Sequence, residues 1–166
     1  MQEAPTSSDR FLLKALGEAA GELRGLLWTK GDRQAREPGE GPDEGWCLLA
    51  IAVHLQDVEQ KTGQQFETIL RRPYAPIRNV DLDDIPFPED YEYVSIDEAV
   101  SGFAYARQET SYSLWGLTRE EWERTAVHPY RGEVALIDLV RDLYKHDLEH
   151  LWQARRMLGL DPVPRR

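Results

Sequence analysis

The sequence predicts an all-α fold, a four-helix bundle with a long crossover loop, in a single domain that spans residues 1–166. Three observations predict it. Four long segments repeat apolar residues at spacings of three and four, capping and helix-stopping residues bound these segments, and no strand-like alternation of comparable length occurs. Helices with one apolar face each bury that face by packing against one another, which favours a bundle.

The first helix is predicted over residues 9–27, where leucine and alanine residues form one stripe. Candidate N-cap side chains precede it at Ser7, Ser8 and Asp9. Residues 29–45 are rich in glycine, proline and charged side chains, which predicts a loop. The second helix is predicted over residues 46–71, because side chains that recur along this segment fall within one arc of about 120° on a helical wheel. Pro73 is expected to end it.

Residues 73–94 contain four prolines and many acidic residues, so we do not expect a helix there. A loop of this length inside a compact domain is unusual, and we expect it to cover part of the bundle. Seven apolar or aromatic side chains are candidates to pack across a helix face: Tyr74, Ile77, Leu82, Ile85, Phe87, Tyr91 and Tyr93.

Capping boxes mark the next two helices. Ser95 is followed three residues later by a glutamate, and an apolar stripe continues from there to residue 117. Thr118 repeats the same pattern and predicts a short helix over residues 119–124. Residues 127–132 contain proline and glycine and are predicted to form a turn.

The fourth helix is predicted over residues 133–158, where apolar residues and two histidines repeat at spacings of three and four. Gly159 is placed as its C-cap, and Pro162 prevents its continuation.

The charge balance excludes several functions. The chain has 20 Lys and Arg residues against 30 Asp and Glu residues, a formal net charge of −10 at pH 7. Nucleic acids and anionic membranes require a basic face, so we expect neither as a partner. The only cysteine is Cys47, and the N-terminal residues lack an apolar secretory segment, so we expect a cytoplasmic protein.

Three of the four histidines fall on predicted apolar stripes. His146 and His150 lie four residues apart in the fourth helix and therefore share one face, and His54 lies in the inward arc of the second helix. Buried imidazoles need partners for their nitrogen atoms. We favour a divalent metal ion such as Zn²⁺ or Ni²⁺ bound by all three. The alternative is that each is a core histidine hydrogen-bonded to a carboxylate or a main-chain carbonyl.

Three neutral imidazoles leave a fourth coordination position open, as in catalytic zinc sites, for water or a thiolate. Cys47 lies seven residues before His54 and is interpreted as small core filler. Gln153 and Asp57, each three residues after a candidate ligand, are candidates to orient bound water or to bond an imidazole. The alternative is that both are flanking polar positions.

Residues 146–150 also fit an inverted zinc-protease motif, H-x-x-E-H. That motif needs a distant downstream acid, and the only acid after it is Asp161, so we exclude the protease. Glu149 is then expected either to be solvated or to lie outside the metal ligands and support one of them. Arg107 is expected either to meet an anionic substrate or, more commonly, to pair with an acid of the bundle. His128 precedes a proline and is expected to have a surface or local structural role.

Residues 52–59, AVHLQDVE, and residues 146–153, HDLEHLWQ, with the segment 122–132 between them, resemble the DinB-like superfamily. The resemblance covers most of the chain and implies a four-helix bundle with a long crossover and a divalent metal held by three histidines. Carried over by position, these are His54, His146 and His150. Characterised relatives of this kind include thiol-dependent S-transferases and isomerases that use bacillithiol or mycothiol.

Three hypotheses on function follow. The first is a metal-dependent transferase or hydrolase that activates a thiol or water against a small electrophilic substrate, with a low-molecular-weight thiol as a further cofactor. The second is a non-catalytic bundle stapled by the metal that acts as a dimeric interaction module, and the third is a metal-free dimeric bundle. Leu148 and Trp152 point away from the core stripe, which predicts a homodimer contact through the last helix. Coverage by the loop at residues 73–94 is the alternative.

Overall fold

The computed structural model describes residues 7–28 and 31–160. The candidate N-cap side chains of Ser7 and Ser8, the helix stop at Pro162 and the acid at Asp161 lie outside the part described. The helices are α1 (Ser7–Trp28), α2 (Asp32–Ala35), a 3-10 turn (Gly41–Asp43), α3 (Leu48–Arg71), α4 (Pro88–Tyr91), α5 (Ile96–Leu114), α6 (Arg119–Glu123) and α7 (Leu136–Met157). Two strands, β1 (Thr125–His128) and β2 (Gly132–Ala135), lie between α6 and α7.

The two middle helices of the bundle run in the same direction. Gln56 of α3 lies against Gly102 of α5, where a Cβ atom would collide with its side chain, and Gly63 lies beside Thr110 further along both helices. Parallel neighbours require a crossover between them, and residues 72–95 supply it. The predicted long crossover is therefore confirmed.

The two outer helices run opposite to α3 and α5. The start of α3 meets the end of α7, because His54 contacts His150 and His146. The start of α1 shares an apolar cluster with the start of α7, whereas Leu23 shares a second cluster with Leu151. The four long helices thus run up, down, down and up.

The core has two apolar clusters, one toward each end of the bundle. One is built around residues such as Leu49, Phe103 and Leu151, and the other around residues such as Phe66 and Trp122. Each long helix contributes to both clusters, since its apolar stripe continues along its length. The predicted four-helix bundle is confirmed.

The capping signals are confirmed in the structure. Ser95 Oγ accepts a hydrogen bond from Glu98 N at 3.1 Å, and Thr118 Oγ1 accepts one from Glu121 N at 3.2 Å. Gly159 has a φ of 68°, the left-handed conformation that a helix C-terminus commonly requires.

The expectation for residues 127–135 is right in part. Residues 129–131 form a turn, as predicted, but this turn joins the two strands of an antiparallel hairpin, in which Thr125 pairs with Ala135 and His128 with Gly132, so the predicted helix start at residue 133 is wrong. Four-residue strands are too short to produce a recognisable alternation, and Gly132 adopts a φ of 73°. The fourth long helix consequently begins at Leu136.

The crossover loop attaches to this hairpin. Val127 N donates to Ala75 O at 2.9 Å, and Ile77 N donates to Val127 O at 3.0 Å. Ile77, Leu82 and Tyr91 pack against the core, as expected. The expectation is wrong for three of the aromatic side chains, which are mostly exposed: Tyr74, Phe87 and Tyr93.

The outer face of α7 differs in part from the expectation. Leu148 is half-buried and packs against the apolar cluster around Leu49. Trp152 is 47% exposed, and it therefore lacks the leucine partner that was expected beside it on the surface.

Within the described residues, no helix has both the length and the apolar character needed to cross a bilayer.

Candidate metal centre

Three histidines from two helices meet inside the bundle. His54 Nε2 lies 2.9 Å from His146 Nε2, and His150 Nε2 lies 3.0 Å from that same atom. The ring centroids are 4.4–4.9 Å apart, and all three side chains are buried. We call these residues the histidine triad.

The helical sequence explains this convergence. His146 and His150 are one turn apart on α7, so their rings project from the same face. Because α3 runs antiparallel to α7, His54 near the start of α3 reaches the level of the pair near the end of α7. The structure thus brings together the three histidines that the sequence singled out.

The crossover loop covers one side of the triad. Leu82 O lies 3.0 Å from His54 Nε2 and 2.9 Å from His146 Nε2. The sequence predicted an open position beside the three imidazoles, and in this structure a main-chain carbonyl lies within 3.0 Å of two of them. A backbone atom leaves no side-chain signal, so sequence reasoning missed it.

Gln153 fixes the orientation of one imidazole. Its Oε1 atom accepts a hydrogen bond from His150 Nδ1 at 2.8 Å. A carbonyl oxygen only accepts, so Nδ1 of His150 carries the proton and its Nε2 presents a lone pair to the triad. Outer hydrogen bonds of this kind set the tautomer of metal-binding histidines.

Trp46 forms an aromatic wall on the triad. Its ring centroid lies 5.4 Å from those of both His54 and His150. The loop that carries Trp46 is fastened by Gly39 N, which donates to Trp46 O at 2.7 Å. The sequence analysis placed Trp46 at the start of the second helix but not on its inward face, so it missed this residue; in the structure α3 begins only at Leu48.

Burial keeps the triad neutral. Desolvation, reinforced by the neighbouring His150 and His54, lowers the pKa of His146 to about 3. Burial likewise lowers the pKa of His150 to about 4, although the hydrogen bond to Gln153 raises it, and burial lowers the pKa of His54. Neutral imidazole is the form that binds a metal ion.

The polar atoms of the triad fit a divalent cation better than they fit one another. His146 Nε2 has three polar neighbours within 3.0 Å: His54, His150 and Leu82 O. A neutral imidazole nitrogen either donates one hydrogen or accepts one, so hydrogen bonds cannot fully satisfy all of these contacts. A cation satisfies several lone pairs at once, and the nitrogens of a tetrahedral zinc site lie about 3.3 Å apart, close to the spacing seen here.

Two polar residues near the triad in sequence lie outside it. Asp57 is exposed and its carboxylate pairs with Lys61 at 2.8 Å, while its charge raises the pKa of His54 from a distance. Glu149 is exposed, as expected from its position on the helical wheel. The role predicted for Asp57 as an outer partner remains a prediction.

His128 and Cys47 have local structural roles. His128 is buried rather than at the surface, and its Nδ1 accepts hydrogen bonds from the main-chain nitrogens of Tyr130 and Arg131, both at 3.1 Å. Cys47 is buried and caps α3, with its Sγ accepting from Ala50 N at 3.3 Å.

Arg107 belongs to a buried ionic network beside the triad. It forms paired hydrogen bonds with Glu59 and with Asp147 at 2.7–2.9 Å, and it also donates to Leu16 O. Of the two expectations for Arg107, pairing with acids of the bundle is therefore confirmed. Burial raises the pKa of Asp147 to about 6, although Arg107 opposes this.

The fold and the triad define a class of protein, the four-helix bundles that carry a buried histidine site suited to a divalent metal. Among solved structures, the chain is similar to YfiT from Bacillus subtilis, which is described as a probable metal-dependent hydrolase with an unusual four-helix bundle topology. The match has a TM-score of 0.74 and 17% sequence identity, and it covers 97% of this chain and 94% of that chain.

At this identity the likeness shows the fold alone, a four-helix bundle, as the sequence predicts. Comparisons with models of protein families and with curated protein sequences give no match.

Proposed function

We propose that the chain is a metal-dependent enzyme in which His54, His146 and His150 hold a divalent ion, Zn²⁺ or Ni²⁺. Bound there, such an ion would supply the Lewis acidity that activates a water molecule or a low-molecular-weight thiol toward a small electrophilic substrate. The observation that carries the proposal is the convergence of three buried Nε2 atoms. The description of YfiT as a probable metal-dependent hydrolase supports it.

The donor set suits this chemistry. A divalent ion on neutral nitrogen ligands keeps its full positive charge, which lowers the pKa of bound water to about 7 or stabilises a bound thiolate. The residues of the chain hold the ion, fix the His150 tautomer through Gln153, and exclude bulk water with Trp46 and the loop at Leu82.

We propose that the nucleophile comes from outside the chain. The candidate ligand cluster among the described residues contains histidines alone, and Cys47 is engaged as a helix cap. This favours water, as in a hydrolase, or a small thiol, as in an S-transferase.

The two reactions are separated by one experiment. Protein loaded with Zn²⁺ or Ni²⁺ is incubated with ester, amide and alkylating substrates, each with and without a panel of low-molecular-weight thiols. A hydrolase forms product without thiol, whereas an S-transferase needs thiol and forms a thioether. His146→Ala loaded in the same way is the control. Equal turnover by wild type and His146→Ala in every combination, or no turnover by either, contradicts the proposal.

A second candidate function is a metal-stapled bundle without catalysis, which would serve as a dimeric interaction module. It is favoured by Leu82 O, which lies within 3.0 Å of two of the three Nε2 atoms and so restricts access to them. A structural metal contributes folding free energy outright, so a stapled bundle should lose most of its stability on chelation. An enzyme of this core size should stay folded without metal and bind azide when loaded.

The homodimer through the outer face of α7 is a further proposal, and Trp152 is the exposed residue that supports it. Sedimentation of wild type and of Trp152→Glu tests it. A dimer that Trp152→Glu converts to a monomer supports this contact, and a monomeric wild type excludes it.

A further inference from the structure

The main-chain oxygen of Leu82 lies close enough to the triad to take part in metal binding. Leu82 O approaches two of the three Nε2 atoms at 2.9–3.0 Å, the same spacing that separates the Nε2 atoms from each other. The oxygen thus lies against two of the three nitrogen atoms of the cluster. Main-chain carbonyls are neutral oxygen donors, and such a donor has a lone pair to offer a cation.

A local turn aims this carbonyl. Asp81 Oδ1 accepts a hydrogen bond from Asp83 N at 2.9 Å, which closes a turn around Leu82. The segment before it is held to α3 by Gln65 Nε2, which donates to Arg78 O at 2.7 Å. The side chain of Leu82 packs against the apolar cluster around Phe66.

We propose that Leu82 O is the fourth ligand of the metal at rest, and that the segment 81–83 must move away before the metal binds water, thiolate or another exogenous ligand. This inference rests on the proposed function, because it requires a metal ion on the triad. Asp81 is then a positioning residue, which acts through the turn that it closes.

Two features allow the carbonyl to leave. A neutral carbonyl is a weaker ligand for zinc or nickel than hydroxide or thiolate is, so an incoming nucleophile displaces it. Leu82 also lines a cavity of about 80 Å³ together with Val80, Leu139 and Leu143, and this cavity gives the segment room to shift. The same loop therefore closes the site at rest and opens it for a ligand.

The experiment uses Co²⁺ in place of the native metal and azide as the probe, with visible absorption as the readout. Wild type is compared with Asp81→Ala, which removes the acceptor of the turn, and with Asp81→Asn, which removes the same charge but keeps an acceptor oxygen. Asp81 is exposed, so both variants should fold. The comparison of Ala with Asn separates the turn from the electrostatic effect of a lost carboxylate on an anionic probe.

We expect Asp81→Ala to bind azide about tenfold more tightly than Asp81→Asn does, in the range that outer-shell changes produce at metal sites. Loss of Co²⁺ binding in Asp81→Ala alone would also support a ligand role. Equal azide affinities in two variants that each bind one Co²⁺ overturn the inference and leave the proposed function intact. Failure of wild type to bind Co²⁺ at the triad overturns the proposed function itself.

A second measurement does not depend on the variants. Protein labelled with ¹³C at its leucine carbonyls and loaded with Co²⁺ should show a strongly shifted resonance that is absent from the Leu82→Ile protein. If every shifted leucine carbonyl resonance persists in Leu82→Ile, Leu82 O is not a ligand.

Discussion

Arg107 Nη1 donates a hydrogen bond to Asp147 Oδ2 at 2.8 Å, one residue along the chain from His146. Through its other nitrogens Arg107 also binds Glu59 and Leu16 O. One side chain therefore joins all four long helices midway between the two apolar clusters.

Removal of the Arg107 guanidinium should destabilise the fold strongly. Arg107→Met leaves Glu59 and Asp147 buried without their partner, which costs about 3–5 kcal/mol in the free energy of unfolding. Urea denaturation measures it. Arg141→Met, at an exposed ion pair with Asp138, is the matched control and should change stability by less than about 0.5 kcal/mol.

The same network predicts a rescue. Arg107→Met combined with Glu59→Leu and Asp147→Leu should recover much of the lost stability, since well-packed apolar side chains often replace a buried ion network without loss. A triple variant as unstable as Arg107→Met would mean that packing, and not unpaired charge, causes the loss.

Metal binding should depend on each histidine of the triad and on no other histidine of the chain. Wild type loaded with Zn²⁺ and desalted should retain about one equivalent, and His54→Ala, His146→Ala or His150→Ala less than about a tenth of one, because two ligands rarely hold zinc. Elemental analysis measures the retained metal. His128→Asn is the control: it alters a buried histidine outside the triad, and a loss of metal there would point to a different site.

His128 should make the protein less stable in acid. Burial, with the charge of Arg131, lowers the pKa of His128 in the folded state, so the unfolded chain binds the proton more readily. The stability contributed by His128 is complete above pH 6.5 and falls as the pH drops from there toward the folded-state pKa. Arg131 is itself paired with Asp142 Oδ2 at 2.7 Å.

His128→Asn isolates this effect, since the amide oxygen accepts the same two main-chain hydrogen bonds and does not titrate. Urea midpoints of the two proteins are compared from pH 8 to pH 4.5. The stability of wild type relative to the variant should decrease as the pH is lowered. A difference that stays constant would show that His128 does not titrate in this range.

Two glycines should respond to alanine in opposite directions. Gly21 lies on the exposed face of α1 with open space around its Cα, so Gly21→Ala should stabilise by about 0.5–1 kcal/mol. A Cβ atom on Gly39 would collide with the main-chain oxygen of Asp43, so Gly39→Ala should destabilise by about 1–3 kcal/mol and disturb the loop that holds Trp46. Thermal melts of both variants check the signs.

The long helices and the triad were predictable from the sequence because their signals are local. Spacings of three and four define each stripe, and His54, His146 and His150 lie on those stripes. Antiparallel packing of α3 on α7 is then sufficient to bring the rings together. The YfiT-like fold agrees with this prediction.

The surroundings of the triad were not predictable for two physical reasons. Leu82 acts through a main-chain oxygen and Trp46 through a loop, so neither contributes to a periodic pattern. The hairpin strands are only four residues long, too short to alternate visibly, and the contact that places the loop on Val127 is between distant segments.

The central claim is that His54, His146 and His150 bind one divalent ion. Crystals of the zinc-loaded protein, measured on both sides of the zinc absorption edge, test it most directly. We expect a single anomalous peak about 2.0–2.1 Å from the Nε2 atoms of all three residues. Rings that remain hydrogen-bonded to one another without an anomalous peak between them would contradict it.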